Sequence, residues 1–241
     1  MSNTFWSSLS EILFELFDVF NDDNNVSISF LNAVRTGNLA LVNLTLELDL
    51  IDPSFENNIA IREASEHGHV NIVDRLLRDT KKRVDPSVND NYAISISSRN
   101  GHVAVVDRLL QELQGLQRLQ RPLTSGFNYP IFYACYNGHV AVVDRLLQVD
   151  NMNISSIVAW ENTKKNTEVV DRLLQEKTAN PVSFCYWAVR NGNIDIVELL
   201  LQDNRVSLTM LKDEADQIIY INVNTDAINA NKVLQYITSR V

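Results

Sequence analysis

Two alternating kinds of apolar stripe run along this chain. Ile61, Ala64 and Ser65 stand three and one residues apart, a spacing that puts them on one face of a helix. The same spacing returns in Ile94, Ser97 and Ser98, and again in Ile131, Ala134 and Cys135. Small residues in such a stripe let a neighbouring helix come close. A glycine follows each stripe, and beyond it lies a second stripe, as in Val70, Val73, Leu76 and Leu77, which predicts a second helix with a wider buried face. Glycine is the residue expected between two helices, because the chain must take positive φ there and a Cβ would cost about 1 kcal/mol. Five of the seven glycines, Gly37, Gly68, Gly101, Gly138 and Gly192, occupy this turn.

The turns carry a repeated phrase. Gly68-His69-Val70 leads to Val73-Asp74-Arg75-Leu76-Leu77, Gly101-His102-Val103 leads to Val106-Asp107-Arg108-Leu109-Leu110, and Gly138-His139-Val140 leads to Leu147. Looser copies run from Gly37 to Leu46 and from Gly192 to Leu201, and Val170 to Leu174 keeps the ending alone. With Lys165 standing in for the missing glycine, the six copies are spaced by 31, 33, 37, 27 and 27 residues, a period of one helix-turn-helix unit. Turn-forming clusters, Asp52-Pro53-Ser54, Asp85-Pro86-Ser87 and Asn180-Pro181-Val182-Ser183, precede the first helix of three units.

The phrase Ala-x-x-x-Gly-His-x-x-Val-Val-x-x-Leu-Leu resembles the ankyrin repeat over residues 26–202. Degenerate repeats of this kind resemble those abundant in amoebae and in the large DNA viruses that infect them. The resemblance implies an all-α solenoid of stacked helix-turn-helix units with short or missing β-hairpins. The repeats are expected at about 26–52, 53–85, 86–122, 123–153, 154–180 and 181–206. The first helices depart from the family's Thr-Pro-Leu-His start, and only Tyr129-Pro130-Ile131-Phe132 keeps the proline. The stretch from Glu112 to Gln120 should lengthen the second helix of the third unit.

Terminal repeats must turn a polar face to water. Leu9, Ile12, Leu13, Leu16, Phe17 and Phe20 form an amphipathic pattern that makes residues 1–25 an expected capping helix. Part of it, Glu11-Ile12-Leu13-x-x-Leu16-Phe17, resembles the opening helix of an F-box, which implies an alternative role as a substrate adaptor of a ubiquitin ligase. At the other end, residues 207–241 read as a degenerate capping repeat, with helices expected over 212–223 and 226–237.

Composition narrows the function. Thirty acidic and 21 basic residues give a formal net charge of -9, which repels nucleic-acid phosphates and anionic membranes alike. Cys135 and Cys185 are too few and too far apart for a disulfide framework or a zinc site, so a reducing intracellular compartment is expected. No glycine-rich phosphate loop, nucleophile elbow or paired Cys-x-x-Cys is present, and the sequence asks for no cofactor and no metal. The recurrence of His69, His102 and His139 after the turn glycine marks them as parts of the repeat, about 10 Å apart by the spacing of packed helices. The Asp-Arg pairs at 74/75, 107/108, 144/145 and 171/172 should form a solvated ladder on the second helices.

The expected function is therefore protein binding by a monomer, not catalysis. Five and two residues before each turn lie adjacent positions on the outward face of the first helix. The first position reads Asn32, Glu63, Ile96, Tyr133, Trp160, Trp187 and the second Arg35, Glu66, Arg99, Tyr136, Thr163, Arg190. Tyr, Trp and Arg are the residue types in which interfaces concentrate their binding energy. Tyr133, Tyr136, Trp160, Trp187, Arg99 and Arg190 are the candidate partner-binding residues, with packing between neighbouring helices as the competing reading of the rings.

Overall fold

The computed structural model of this chain describes residues 23–79, 83–117, 128–149, 166–177, 179–221 and 225–239. The chain divides into two compact units, residues 1–123 and 124–241, and each is taken by itself. The first holds α1 (Asp23–Thr36), α2 (Leu39–Glu47), α3 (Phe55–Glu66), α4 (Val70–Leu77), α5 (Val88–Arg99) and α6 (Val103–Gln117). The second holds α7 (Asn128–Asn137), α8 (Val140–Leu147), α9 (Thr167–Leu174), α10 (Pro181–Asn191), α11 (Ile194–Gln202), α12 (Leu208–Ile221) and α13 (Thr225–Thr238). Among the described residues the regular structure is helical throughout, with no strand.

The helices pack as consecutive pairs, first helix on first helix and second on second. In the first unit α1 meets α3 and α3 meets α5, while α2 meets α4 and α4 meets α6. In the second, α8 meets α9, α9 meets α11, and α12 and α13 pack on α10. The small-residue stripe explains the first row, since Ile61, Ala64 and Ser65, then Ile94, Ser97 and Ser98, are fully buried. The buried serines do not weaken the stripe when their hydroxyls turn back on their own helix, as Ser65 Oγ does to the Ile61 carbonyl at 2.7 Å.

Each first helix ends at its glycine for a reason visible in the hydrogen bonds. In the turn at Gly68 the His69 N–H donates to the Ala64 carbonyl at 2.9 Å. The His102 N–H reaches Ser97 and the Asn193 N–H reaches Ala188 at the same distance. This six-residue closure needs a left-handed residue at the turn, and Gly37, Gly68, Gly101, Gly138 and Gly192 have φ between 64° and 80°. Glycine is required a second time by what approaches it. A Cβ on Gly37 would lie 2.8 Å from the His69 ring, and one on Gly68 would lie 2.7 Å from the His102 ring.

The histidines thus act between repeats. His69 Nε2 donates to the Arg35 carbonyl and His102 Nε2 to the Glu66 carbonyl, both at 2.9 Å. In the second unit the same place beside the glycine is taken by asparagine: Asn166 abuts Gly138, and Asn229 abuts Gly192 and donates to the Arg190 carbonyl at 3.2 Å. Asn38 and Asn193, at the corresponding turns of other repeats, accept from the backbone N–H of Leu41 and Ile196 and so cap their own second helices.

Several elements differ from the sequence reading. The buried stripe of α4 is Ile72, Val73 and Leu76, with Val70 and Leu77 only half-buried, because α4 is covered by α2 on one side and α6 on the other. Two arginines of the Asp-Arg pairs reach across to the preceding repeat. Arg108 Nε reaches Asp74 of the preceding repeat at 2.7 Å and its Nη1 reaches Glu112, one turn on, at 3.2 Å. Arg172 is held the same way by Asp144 and Glu176. The first turns of α3 and α5 are not right-handed helix. Glu56, Asn57 and Asn58, and then Asn89, Asp90 and Asn91, all have φ between 46° and 61°, a left-handed turn that Asn and Asp tolerate best. Asn58 Oδ1 then accepts the N–H of Asp85, tying one repeat to the next.

At the ends, α1 begins at Asp23, inside the stretch assigned to 1–25, and α12 begins at Leu208, four residues before 212, because Ser207 Oγ accepts the Met210 N–H and caps it. The second helix of the third repeat is long as expected, reaching Gln117. The amphipathic stretch up to residue 22 with its F-box-like segment, and the first helix of the fifth repeat, lie outside the described residues.

Candidate partner-binding surface

The turn glycine fixes how each first helix faces outward, and it separates the two candidate rows. Two residues before the turn, Arg35, Glu66, Arg99 and Tyr136 are exposed and Arg190 is half-buried. Five before it, Asn32 is exposed, Glu63, Tyr133 and Trp187 are half-buried, and Ile96 is buried at 6% exposure. Ile96 is therefore a packing residue, a correction to its place on the outward face. Trp160 and Thr163 lie outside the described residues.

Charge on this face is tied up between repeats. Arg35 makes a two-pronged bond to Glu63, with Nε to Oε2 at 2.9 Å and Nη2 to Oε1 at 2.8 Å. Hydrogen bonding to Arg35 holds the Glu63 carboxyl below its ordinary range despite partial burial, and the same bond raises Arg35. Arg99 stands exposed at the end of α5.

In the second unit the candidate residues gather into two places. On α10, Trp187 packs edge-on against Tyr186 with centroids 5.0 Å apart. Arg190 lays its guanidinium 5.0 Å from the centre of the Trp187 ring, while its Nε bonds Asp226 of α13 at 2.9 Å. On α7, Tyr133 and Tyr136 belong to a larger aromatic group. Phe132 lies 5.2 Å from Tyr133 and 6.0 Å from Tyr136, and Tyr129 stacks on Tyr133 at 6.5 Å. Tyr129 and Tyr136 are 55% and 49% exposed. Tyr129 and Phe132 are absent from the sequence-derived set because only two positions of each helix entered it. The i, i+4 spacing of Tyr129 to Tyr133 was the signal that would have found the first.

A shallow recess between α9, α10 and α11 is lined by Val170, Phe184, Trp187 and Ile196 among others, and no titratable side chain faces it. Cys135 and Cys185 are buried in their first helices, and burial pushes both thiols up to about 12, far from a reactive thiolate. Among the described residues no group of three His, Cys, Asp or Glu side chains could hold a metal ion, and no helix is long and apolar enough to cross a membrane.

The ankyrin-repeat family model matches residues 185–213, which span the end of α10, its glycine turn, α11 and the start of α12. No curated protein matches the chain. Ankyrin repeats generally serve as protein–protein interaction modules and are typically non-catalytic. The matched stretch holds one ankyrin-like repeat, and the thirteen described helices, packed in consecutive pairs, are similar in arrangement to an all-α ankyrin-repeat solenoid.

Proposed function

We propose that this chain binds a protein partner along the outward face of its first helices, the concave face expected of a repeat array. Arg99, Tyr133, Tyr136, Trp187 and Arg190 contribute, and Trp160 joins them on sequence position alone. The observation that carries this reading is the row two residues before each turn. That row is held outward by the glycine turn and bears Arg35, Glu66, Arg99 and Tyr136 in exposed positions, residues the core does not need. Exposed large aromatics beside arginines are the composition of interface centres rather than of ordinary surface.

A photo-crosslinking amino acid placed at Tyr136, and separately at Arg99, tests the reading in lysate from cells that express the protein. The expected result is one and the same protein crosslinked from both positions and not from a control position at Tyr220 on α12. Crosslinks of equal yield and identity from all three positions, or from Tyr220 alone, would overturn it.

A further inference from the structure

Three of the five turn glycines follow an asparagine, in the steps Asn100-Gly101, Asn137-Gly138 and Asn191-Gly192. Asparagine is a thermolabile residue, and a following glycine has no side chain to hinder attack by its backbone nitrogen. The chemistry is intramolecular. The glycine nitrogen gives its proton to solvent and bonds to the side-chain carbonyl carbon of the asparagine. The amide nitrogen leaves as ammonia, and water then breaks one of the two C–N bonds of the imide ring. The product is aspartate or, where the chain now runs through the former side chain, isoaspartate.

Asn100 and Asn137 form a matched pair. Both are exposed, both stand at the end of a first helix, and both are followed by Gly-His. Their glycine N–H groups are held equally loosely, Gly101 by the Ser98 carbonyl and Gly138 by the Cys135 carbonyl, each at 3.3 Å. The difference lies in the side-chain amide. Asn100 Nδ2 donates to the Glu66 carbonyl of the preceding repeat at 2.8 Å, the same carbonyl that receives His102. Asn137 Nδ2 donates to the Tyr133 carbonyl of its own helix, one turn back, at 2.9 Å. Ring closure requires the helix end to open so that the side chain can turn toward the glycine nitrogen. At Asn100 that opening breaks a bond between repeats, whereas at Asn137 it breaks a bond inside a last turn, where helices fray. Asn191 is half-buried beside the recess, and the Gly192 N–H is held closer, at 3.0 Å from the Val189 carbonyl.

We infer that Asn137 is a site of spontaneous modification, converted to aspartate and isoaspartate faster than Asn100 or Asn191. The conversion adds a negative charge at the C-terminal end of α7, where the helix dipole opposes it. In the isoaspartate form it also lengthens the backbone by one carbon within the turn. Both changes fall beside the exposed Tyr136, so the outward face of α7 alters with the age of the molecule.

The intact protein, held in mildly alkaline buffer at physiological temperature and sampled over weeks, tests this by peptide mass spectra that read the gain of one mass unit at each asparagine. The chain unfolded in guanidinium is the reference, since Tyr136-Asn137-Gly138-His139 and Arg99-Asn100-Gly101-His102 differ in one residue. After division by the unfolded ratio, Asn137 should convert about fivefold faster than Asn100, the factor that one hydrogen bond sets on an opening equilibrium. Asn191 should also trail Asn137. Aspartate and isoaspartate should both appear at Asn137, the mark of the ring, and Asn137→Gln should abolish the gain in that peptide. Equal normalised rates at Asn100 and Asn137 would overturn the inference. So would a lead by Asn100 or Asn191, aspartate without isoaspartate, or an Asn137 that stays intact while the unfolded chain converts.

Discussion

His102 donates its Nε2–H to the carbonyl of Glu66, thirty-six residues earlier, at 2.9 Å. The bond places the imidazole against Gly68, so one histidine both satisfies the end of a helix in the preceding repeat and excludes any side chain from its turn. His69 does the same to Arg35 and Gly37.

Gly68→Ala should therefore cost more than the usual helix-end substitution, about 2 kcal/mol or more, since positive φ and a clash with the ring add together. His102→Asn should retain most of the stability, because Asn229 already makes the corresponding bond to Arg190. His102→Leu should lose about 0.5 to 1.5 kcal/mol through the lost bond, the Glu66 carbonyl keeping the Asn100 amide at 2.8 Å. Urea unfolding of the three variants checks the order. A Gly68→Ala variant as stable as the parent would show that the turn does not need glycine.

Ser98 occupies the small-residue slot of α5, fully buried, and its hydroxyl finds no hydrogen-bond partner, whereas Ser65 in the same slot of α3 bonds to Ile61. Removing the orphaned hydroxyl should stabilise. Ser98→Ala is expected to raise unfolding free energy by about 1 kcal/mol, and Ser65→Ala to leave it nearly unchanged or lower it slightly. Thermal melts of the pair measure the contrast, and equal effects would count against it.

Arg108 is shared between Asp74 of the previous repeat and Glu112 on its own helix, with its side chain mostly buried. A double-mutant cycle on Asp74→Asn and Arg108→Gln should give a coupling of roughly 0.5 to 1 kcal/mol at low salt, since the partners are partly shielded. The coupling should shrink in 0.5 M salt, by about half. Zero coupling at low salt would show that the ladder contributes packing of aliphatic stems and no ionic term.

The Arg35–Glu63 pair makes a statement about acid stability. Hydrogen bonding to Arg35 lowers the folded-state pKa of Glu63 below its ordinary 4.5. A depressed carboxylate contributes stability that is fully present above that ordinary value and is lost as pH falls through the lower folded value. Glu63→Gln should thus destabilise at pH 7 by up to about 1 kcal/mol, the scale of a surface ion pair. The difference from the parent should disappear as the pH falls through the lowered folded-state value. A difference that stays constant from pH 7 to pH 3 would assign the effect to packing.

What the sequence determined by itself is the unit of construction. Gly68, Gly101 and Gly138, the stripes three and one apart before them, and the Val-Val-x-x-Leu-Leu run after them specify helix, left-handed turn and helix through interactions within one repeat, and such local preferences are legible without a neighbour. Cys135 and Cys185 were readable as buried for the same reason. Tertiary structure decided everything that spans repeats. It sent the imidazole of His69 to Arg35 rather than to its own helix, and brought Arg108 to Asp74 of the preceding repeat. It also enclosed Ile96, which on an isolated helix faces outward, and gave Asn58 the N–H of Asp85. It gathered Tyr129 and Phe132 with Tyr133 and Tyr136 into one aromatic cluster. Helical periodicity states only which side of a helix a residue occupies. Whether that side meets another helix, a carbonyl or water depends on partners about 30 residues away, and their approach is set by packing rather than by any local preference.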